Sequence, residues 1–120
     1  MASYIDSAFA LLTLALGLFG FLAPRYTAEA LNLKTEGSTM GLSELRASAG
    51  GLFVALGLGC LLIGTGWAYA MLGLAYAGAA AGRLVSILID RPPMPKAFVW
   101  FLFEAVPAAW LLRHFAQDLG

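Results

Sequence analysis

The sequence predicts an all-α integral membrane protein, a four-helix bundle of antiparallel up-and-down spans joined by short loops. Of its 120 residues, 61% are hydrophobic and only 12% are charged, whereas a soluble domain of this size carries roughly twice that share of charge. The apolar residues gather into four blocks, which the few charges and prolines separate. Each block has about the 20 apolar residues that a helix needs to cross a bilayer, so composition and distribution both indicate four transmembrane helices.

The predicted spans cover residues 4–23, 42–64, 67–89 and 97–114. The first is too long for the core of a secretory signal, and residues 1–6 lack a basic stretch, so we expect a retained span. The tight turn Gly64-Thr65-Gly66 makes the second and third helices antiparallel neighbours, and the prolines between residues 90 and 96 end the third helix. Because the spans use most of the chain, we expect a single transmembrane domain over residues 1–120.

Rows of small residues predict where the helices approach one another. Helices in lipid associate through close backbone contact and polar groups, because lipid tails are as apolar as leucine. In the second span, one row of small residues recurs every four positions and another recurs every seven. The third span also has small residues at helical spacing. We expect helix packing at Gly50, Gly51, Gly57, Gly59, Gly78 and Gly82.

The basic residues predict the orientation in the membrane. With four spans, the segments 24–44 and 90–96 share one side, and both termini share the other. Six of the seven lysines and arginines fall on or near the first side, and only Arg113 falls on the second. Since basic loops mark the cytoplasmic face, we expect both termini outside the cytoplasm, in a bacterial inner membrane.

Three charged residues stand inside predicted spans: Arg46, Arg83 and Glu104. A charge in hydrocarbon costs on the order of 3 kcal/mol unless it finds a partner or a wet cavity. All three are predicted in the cytoplasmic half of the bundle, so an Arg83–Glu104 pair with Arg46 or Asp90 attached would satisfy them. Tyr76 and Asp90 share the face of the third helix that carries Arg83, at seven-residue spacing.

Two interpretations of this Arg/Glu cluster stay open. In the first, the charges form an interhelical clamp that fixes the packing of the helices. In the second, they line a polar pocket for an anionic headgroup, a small anion or a proton. Two arginines against one deeply placed carboxylate leave a net positive site, which favours an anionic ligand in the second case.

Several function classes lack their usual residues. The net charge is zero, which argues against nucleic acid as a partner. The lone Cys60 makes no disulfide or redox pair, and His114 is expected as an interfacial side chain rather than a metal or haem ligand. No phosphate loop and no serine–histidine–acid arrangement is visible. We therefore expect no enzymatic activity, no catalytic residues, no metal and no cofactor.

Two stretches of the sequence carry a resemblance to a known family. Glu44-Leu45-Arg46-Ala47-Ser48-Ala49-Gly50-Gly51 opens the second span, and Gly82-Arg83-Leu84-Val85-Ser86-Ile87-Leu88-Ile89-Asp90 closes the third. With Glu104 and the Ala23-Pro24 end of the first span, they make the chain resemble domain of unknown function family 4345, small four-helix bacterial membrane proteins. The resemblance implies this fold over nearly the whole chain and implies no particular activity.

The expected function is that of an accessory or scaffolding subunit in a membrane complex or homo-oligomer, with the lipid bilayer and other membrane subunits as partners. The alternative is a small-anion or lipid binding or transport module that uses the Arg/Glu cluster. Small four-helix drug exporters have a similar length, but they carry an essential carboxylate in their first helix, where we expect none here.

Overall fold

The computed structural model describes residues 3–34 and 37–117, and in these ranges the chain is helical with no strand. Four of its helices are long and apolar enough to cross a membrane: Tyr4–Leu22, Met40–Ile63, Gly66–Ile89 and Lys96–Gln117. Large apolar side chains stay exposed on them, such as Leu62 at 77% and Leu88 at 70%. A soluble monomer seldom exposes a large contiguous apolar surface. The predicted fold class, all-α with four membrane-length helices, is confirmed.

In chain order the helices are α1 (Tyr4–Leu22), α2 (Pro24–Ala30), α3 (Met40–Glu44), α4 (Leu52–Ile63), α5 (Gly66–Ile89), α6 (Lys96–Leu111) and α7 (His114–Gln117). Between α3 and α4, residues Leu45–Gly51 form a π-helical segment, so that Met40–Ile63 is helical without a break. The 19 residues of α1 span about 28 Å at 1.5 Å per residue, close to the thickness of the hydrocarbon layer.

The ends of α1 and α5 follow from local side-chain chemistry. At the start of α1, the Ser3 hydroxyl accepts a hydrogen bond from the backbone of Asp6, and the Asp6 carboxylate accepts one from the backbone of Ser3. This reciprocal capping box satisfies two backbone donors that the first turn leaves free. At the start of α5, the Thr65 hydroxyl accepts a hydrogen bond from the backbone of Ala68 and caps that helix.

The contacts divide the chain into two compact units, which we call the α1–α4 unit (Ser7–Ile63) and the α5–α7 unit (Met1–Asp6 with Gly64–Gly120). In the α1–α4 unit, α1 packs directly against the π-helical segment and α4. A Cβ at Gly50 would lie 2.6 Å from the backbone nitrogen of Phe21, and one at Gly57 would lie 2.6 Å from the carbonyl oxygen of Ala10. Only glycine permits this backbone approach, which is the device typical of membrane helices.

The α5–α7 unit is a helical hairpin of α5 and α6, followed by α7. A Cβ at Gly73 would lie 2.9 Å from the Cβ of Leu111, so these two helices also meet at a small residue. The buried face of α5 includes Tyr69, Leu72 and Tyr76. Pro107 lies inside α6 and removes one backbone donor there.

Candidate functional site

The predicted Arg83–Glu104 pair is present in the α5–α7 unit. Arg83 on α5 donates from Nε to Glu104 Oε1 at 3.1 Å and from Nη2 to Oε2 at 2.8 Å. This is the two-pronged geometry in which a guanidinium matches a carboxylate best. The two side chains are 34% and 16% exposed. Each charge therefore has its opposite within hydrogen-bond distance, in helices where an unpaired charge costs about 3 kcal/mol.

Asp90 and Tyr76 lie on the same face of α5 as Arg83. The Asp90 carboxylate accepts a hydrogen bond from the Ser86 hydroxyl at 2.8 Å and lies exposed at the end of α5. Ser86, one turn earlier on the same helix, thus holds the Asp90 carboxylate, and Asp90 forms no ion pair with Arg83. Tyr76 is buried, with 7% of its surface exposed, two turns before Arg83.

Arg46 belongs to the α1–α4 unit and has a neutral partner. Its Nη1 donates to the backbone carbonyl of Phe21, in the last turn of α1. The last carbonyls of a helix have no donor within the helix, so they accept hydrogen bonds from outside it. No carboxylate of the described residues forms an ion pair with Arg46, and its side chain is exposed. Of the expected Arg46–Arg83–Glu104 set, the structure shows the Arg83–Glu104 pair in the α5–α7 unit and Arg46 bound to a carbonyl in the α1–α4 unit.

A second ionic cluster forms around Asp6, in the first turn of α1. Arg113 donates from Nη1 to Asp6 Oδ1 at 3.0 Å and from Nη2 to Oδ2 at 3.3 Å. The indole nitrogen of Trp110 donates to Oδ1 at 3.0 Å, and His114 Nε2 lies 2.9 Å from Oδ2. Asp6 and His114 are completely buried. We call these four residues, Asp6, Trp110, Arg113 and His114, the Asp6 cluster.

Neighbouring side chains enclose the charged groups of the Asp6 cluster. His114 Nε2 lies within hydrogen-bond distance of two groups, Asp6 Oδ2 at 2.9 Å and Arg113 Nη1 at 3.2 Å. The Arg113 guanidinium lies 4.3 Å above the Trp110 ring, and the Tyr69 ring stacks on His114 at 6.1 Å. With three side chains and the Ser3 backbone directed at it, the carboxylate has its acceptor positions filled. The arrangement is that of a structural ion cluster.

This cluster corrects two expectations. The first helix does contain a carboxylate, Asp6, and His114 is a buried partner of it rather than an interfacial side chain. Two signals in the sequence point to the cluster. Trp110, Arg113 and His114 stand at i, i+3 and i+4, so one helix face carries all three. An even number of spans also places the start of the first helix and the end of the last on one side of the membrane.

The predicted packing glycines divide into two groups. Gly50 and Gly57 lie in the tight contacts between α1 and its neighbour. At Gly59, Gly78 and Gly82, an added Cβ would meet no described atom within 4 Å, and at Gly51 it would meet only the Arg46 carbonyl of its own helix, at 3.5 Å. These four therefore make no close helix contact within their own units. Gly17 and Gly20 of α1 supply the other side of the Gly50 contact.

Residues able to hold a metal are not brought together in the part of the chain that the structure describes. Within residues 3–34 and 37–117, no group of three or more histidine, cysteine, aspartate or glutamate side chains has the arrangement of a metal site. Asp6 and His114 are one such pair of ligand types, and their facing atoms are bonded to each other.

A comparison with protein families identifies this helical arrangement. Residues 5–114 match the family described as "Domain of unknown function (DUF4345)". The chain belongs to the DUF4345 family. Neither the curated proteins nor the solved structures contain a significant match to it.

The resemblance noted in the sequence is confirmed, and the structure places its two motifs in this DUF4345 protein. The first motif covers the π-helical segment with Arg46 and Gly50, and the second covers the last turns of α5 with Arg83. The family match also includes Asp6, Glu104 and Arg113. Each of the three arginines in membrane-length helices thus lies in the matched region.

Proposed function

We propose that this DUF4345 protein is a non-enzymatic multi-pass membrane protein that works as an accessory or scaffolding subunit. It assembles with further copies or with other membrane subunits through small-residue faces of its helices. The observation that carries this proposal is the pair Gly78 and Gly82 on α5, which are four residues apart. A Cβ added at either one would meet no described atom of another helix within 4 Å.

The two faces of α5 differ in what covers them. Tyr69, Leu72 and Tyr76 on one face are buried in the unit, whereas Gly78 and Gly82 lie on an exposed face. Glycine inside a helix costs about 1 kcal/mol relative to alanine, so an uncovered glycine pair gives a lone helix no benefit. In lipid, two small residues at this spacing allow another helix to approach the backbone closely. A partner helix on this face would use both glycines.

A second face of the same kind lies in the α1–α4 unit. Gly51, Ala55 and Gly59 recur every four residues on one side of the Met40–Ile63 helix, away from the Gly50 and Gly57 contacts with α1. Ala55 is exposed and both glycines are partly exposed. Two such faces support a role in which the protein joins several helices.

The absence of enzymatic activity is part of this proposal and is supported by the state of the polar groups. The Arg83–Glu104 pair and the Asp6 cluster use their charged atoms on each other. Catalytic acids, bases and nucleophiles need an atom that reaches a substrate. The free thiol of Cys60 is buried.

The assembly is tested by native mass spectrometry of the protein released from its own membranes in mild detergent. We expect dimers, larger oligomers or stoichiometric membrane partners. Gly78→Leu with Gly82→Leu should remove them, because the two side chains separate the helices. Ala79→Leu is the matched control, since Ala79 is also exposed on α5 but lies about 100° around the helix from Gly78.

Two outcomes would contradict the assembly proposal. The first is a strictly monomeric wild-type protein without partners. The second is a double variant that keeps the same oligomers or partners as the wild type and the Ala79→Leu control. Disulfide crosslinking of Gly82→Cys, in a Cys60→Ala background in intact membranes, tests independently whether two copies meet on this face.

We also propose that the protein resides in a bacterial inner membrane with both termini outside the cytoplasm, as the distribution of basic residues favours. Fusions of a reporter that is active only outside the cytoplasm test this. Activity is expected at either terminus and not after Lys34, in the segment between α2 and α3. The reverse pattern would overturn the orientation.

The alternative function is a small-anion or lipid binding or transport module built on Arg46, Arg83 and Glu104, with Asp90 and Tyr76 beside them. The bidentate pair weakens this version, because Arg83 and Glu104 occupy each other. Arg46 is the member of the set that has no carboxylate partner among the described residues, and it favours anion binding on its own.

A further inference from the structure

The three arginines in membrane-length helices differ in what neutralises them. Arg83 faces Glu104 and Arg113 faces Asp6, each within 3.0 Å. Arg46 donates to the Phe21 carbonyl, which carries no charge, and has no acidic partner among the described residues. A guanidinium stays charged in proteins and has five N–H donors, so a single carbonyl leaves most of them open. Because Arg46 is exposed, its remaining donors are accessible to a negative group from outside the described residues.

The surroundings of Arg46 form an open groove of about 540 Å³ in the α1–α4 unit. It is lined by Phe21, Thr39, Leu42, Ser43, Arg46 and Ala47. One guanidinium and two hydroxyl groups supply hydrogen-bond donors, while Phe21, Leu42 and Ala47 supply an apolar wall. Donors beside an apolar wall suit a molecule that has a phosphate at one end and hydrocarbon at the other.

The depth of the groove matches the headgroup region of a bilayer. Arg46 is six residues after Met40, the start of a membrane-length helix, which places it about 9 Å along that helix. Charged side chains near the end of a span reach the interface, where the phosphates of phospholipids lie. The groove therefore opens where a phosphate is close.

The position of Arg46 is fixed by the contact between the helices. Gly50, one turn after Arg46, packs against the backbone of Gly20 and Phe21, so the π-helical segment lies against the end of α1. Arg46 is thereby brought to the Phe21 carbonyl, which holds one of its terminal nitrogens. An arginine anchored in this way loses less side-chain freedom when it binds a ligand.

We propose that this groove binds an anionic phospholipid, with Arg46 donating to the phosphate oxygens, Thr39 and Ser43 beside them, and an acyl chain along Phe21 and Leu42. Among the described residues, the lining contains no carboxylate that would pair with the amine of a zwitterionic headgroup. A lipid with net negative charge is therefore preferred to a zwitterionic one. The proposal does not depend on the assembly of the protein through α5.

The experiment measures lipid retention by the full-length protein. Wild type is reconstituted in nanodiscs of equal parts phosphatidylglycerol and phosphatidylcholine, transferred to mild detergent, and analysed by native mass spectrometry. We expect phosphatidylglycerol to be retained in preference to phosphatidylcholine. Arg46→Gln should lower this retention by roughly tenfold, the effect of losing one charge-assisted hydrogen-bonded contact. Arg25→Gln, which removes an exposed arginine of α2 that does not line the groove, is the matched control and should retain the lipid.

A second variant separates lipid binding from folding. Ser43→Trp fills the groove and leaves Arg46 in place, and Ser43 is exposed, so the helices should tolerate it. We expect this variant to have the wild-type circular dichroism spectrum and to lose the preference for phosphatidylglycerol. A wild-type preference in both Arg46→Gln and Ser43→Trp would overturn the proposal.

A soluble anion is distinguished from a lipid by competition. Millimolar inorganic phosphate or glycerol 3-phosphate is added to the detergent-solubilised wild type before analysis. Retained phosphatidylglycerol supports a lipid site, because the acyl chain contributes to binding. Complete displacement by either anion would show a site for free phosphate instead and would overturn the assignment to a phospholipid.

Discussion

The helices inside the α1–α4 unit and those inside the α5–α7 unit are held by different kinds of contact. The described residues of the α1–α4 unit contain no internal ion pair, and α1 meets its neighbours through direct backbone contact at Gly50 and Gly57. The α5–α7 unit combines one close contact at Gly73 with the Arg83–Glu104 pair and the Asp6 cluster. Membrane helices use both small residues and polar groups to associate. The comparison shows that one short chain uses each device in a separate place.

Removing the Asp6 carboxylate should have the largest effect. Asp6→Leu leaves Arg113 and the buried His114 without their acceptor, and breaking a buried ion pair on one side costs about 3–5 kcal/mol. We expect a strong decrease in the free energy of unfolding in detergent. Asp6→Asn keeps the shape and part of the hydrogen bonding and should cost less. Equal stability of wild type and Asp6→Leu would show that the cluster contributes nothing to holding the α5–α7 unit.

A methyl group at Gly50 should have the next largest effect, through the α1–α4 unit. In Gly50→Ala the new Cβ lies within 3 Å of backbone atoms of Gly20 and Phe21, which cannot move independently of their helix. Overpacking of this kind costs about 1–3 kcal/mol.

Gly59→Ala is the matched control for Gly50→Ala. The added Cβ meets no neighbour, and alanine favours the helix by about 1 kcal/mol. We expect Gly59→Ala to be neutral or slightly stabilising in the same unfolding measurement. If both substitutions had the same effect, the backbone contact would not be what holds α1 in place.

Removing both members of the Arg83–Glu104 pair together should have a smaller net effect than Asp6→Leu or Gly50→Ala, because the two single losses should be coupled. Arg83→Leu or Glu104→Leu alone leaves one charge unpaired and should cost about 2 kcal/mol, less than Asp6→Leu because Arg83 is partly exposed. The double variant should recover most of that loss, because no charge remains unpaired. A double-mutant cycle from unfolding in detergent measures the coupling. Additive losses would contradict a structural clamp.

The helices and the Arg83–Glu104 pair can be predicted from the sequence, because both follow from the solvation of apolar and charged side chains in a membrane. Apolar runs define the spans, and the observed helices begin and end within three residues of the predicted limits. A charge in the middle of such a run, such as Glu104, is conspicuous and needs an opposite charge. Asp6 and Arg113 are less conspicuous, since both stand near the ends of spans where charges are ordinary.

Other features depend on contacts that the sequence does not specify. Gly50 and Gly51 are adjacent, and both belong to rows with helical spacing, but only the row with Gly50 packs against α1. The Gly50 row packs because it meets Gly17 and Gly20 of α1. The π-helical segment has no composition of its own that would distinguish it from α-helix. Asp90 lies near both Arg83 and Ser86 in the sequence, and in the structure its carboxylate accepts a hydrogen bond from Ser86.

The π-helical segment has a further consequence for the Met40–Ile63 helix. Its hydrogen bonds join residues five apart instead of four, so one turn holds more residues than its α-helical neighbours do. Side chains before this wide turn are rotated relative to those after it. The angle between Arg46, inside this segment, and Gly57, after it, therefore differs from the angle that uniform α-helical winding would give, and deletion of a single residue here would change it.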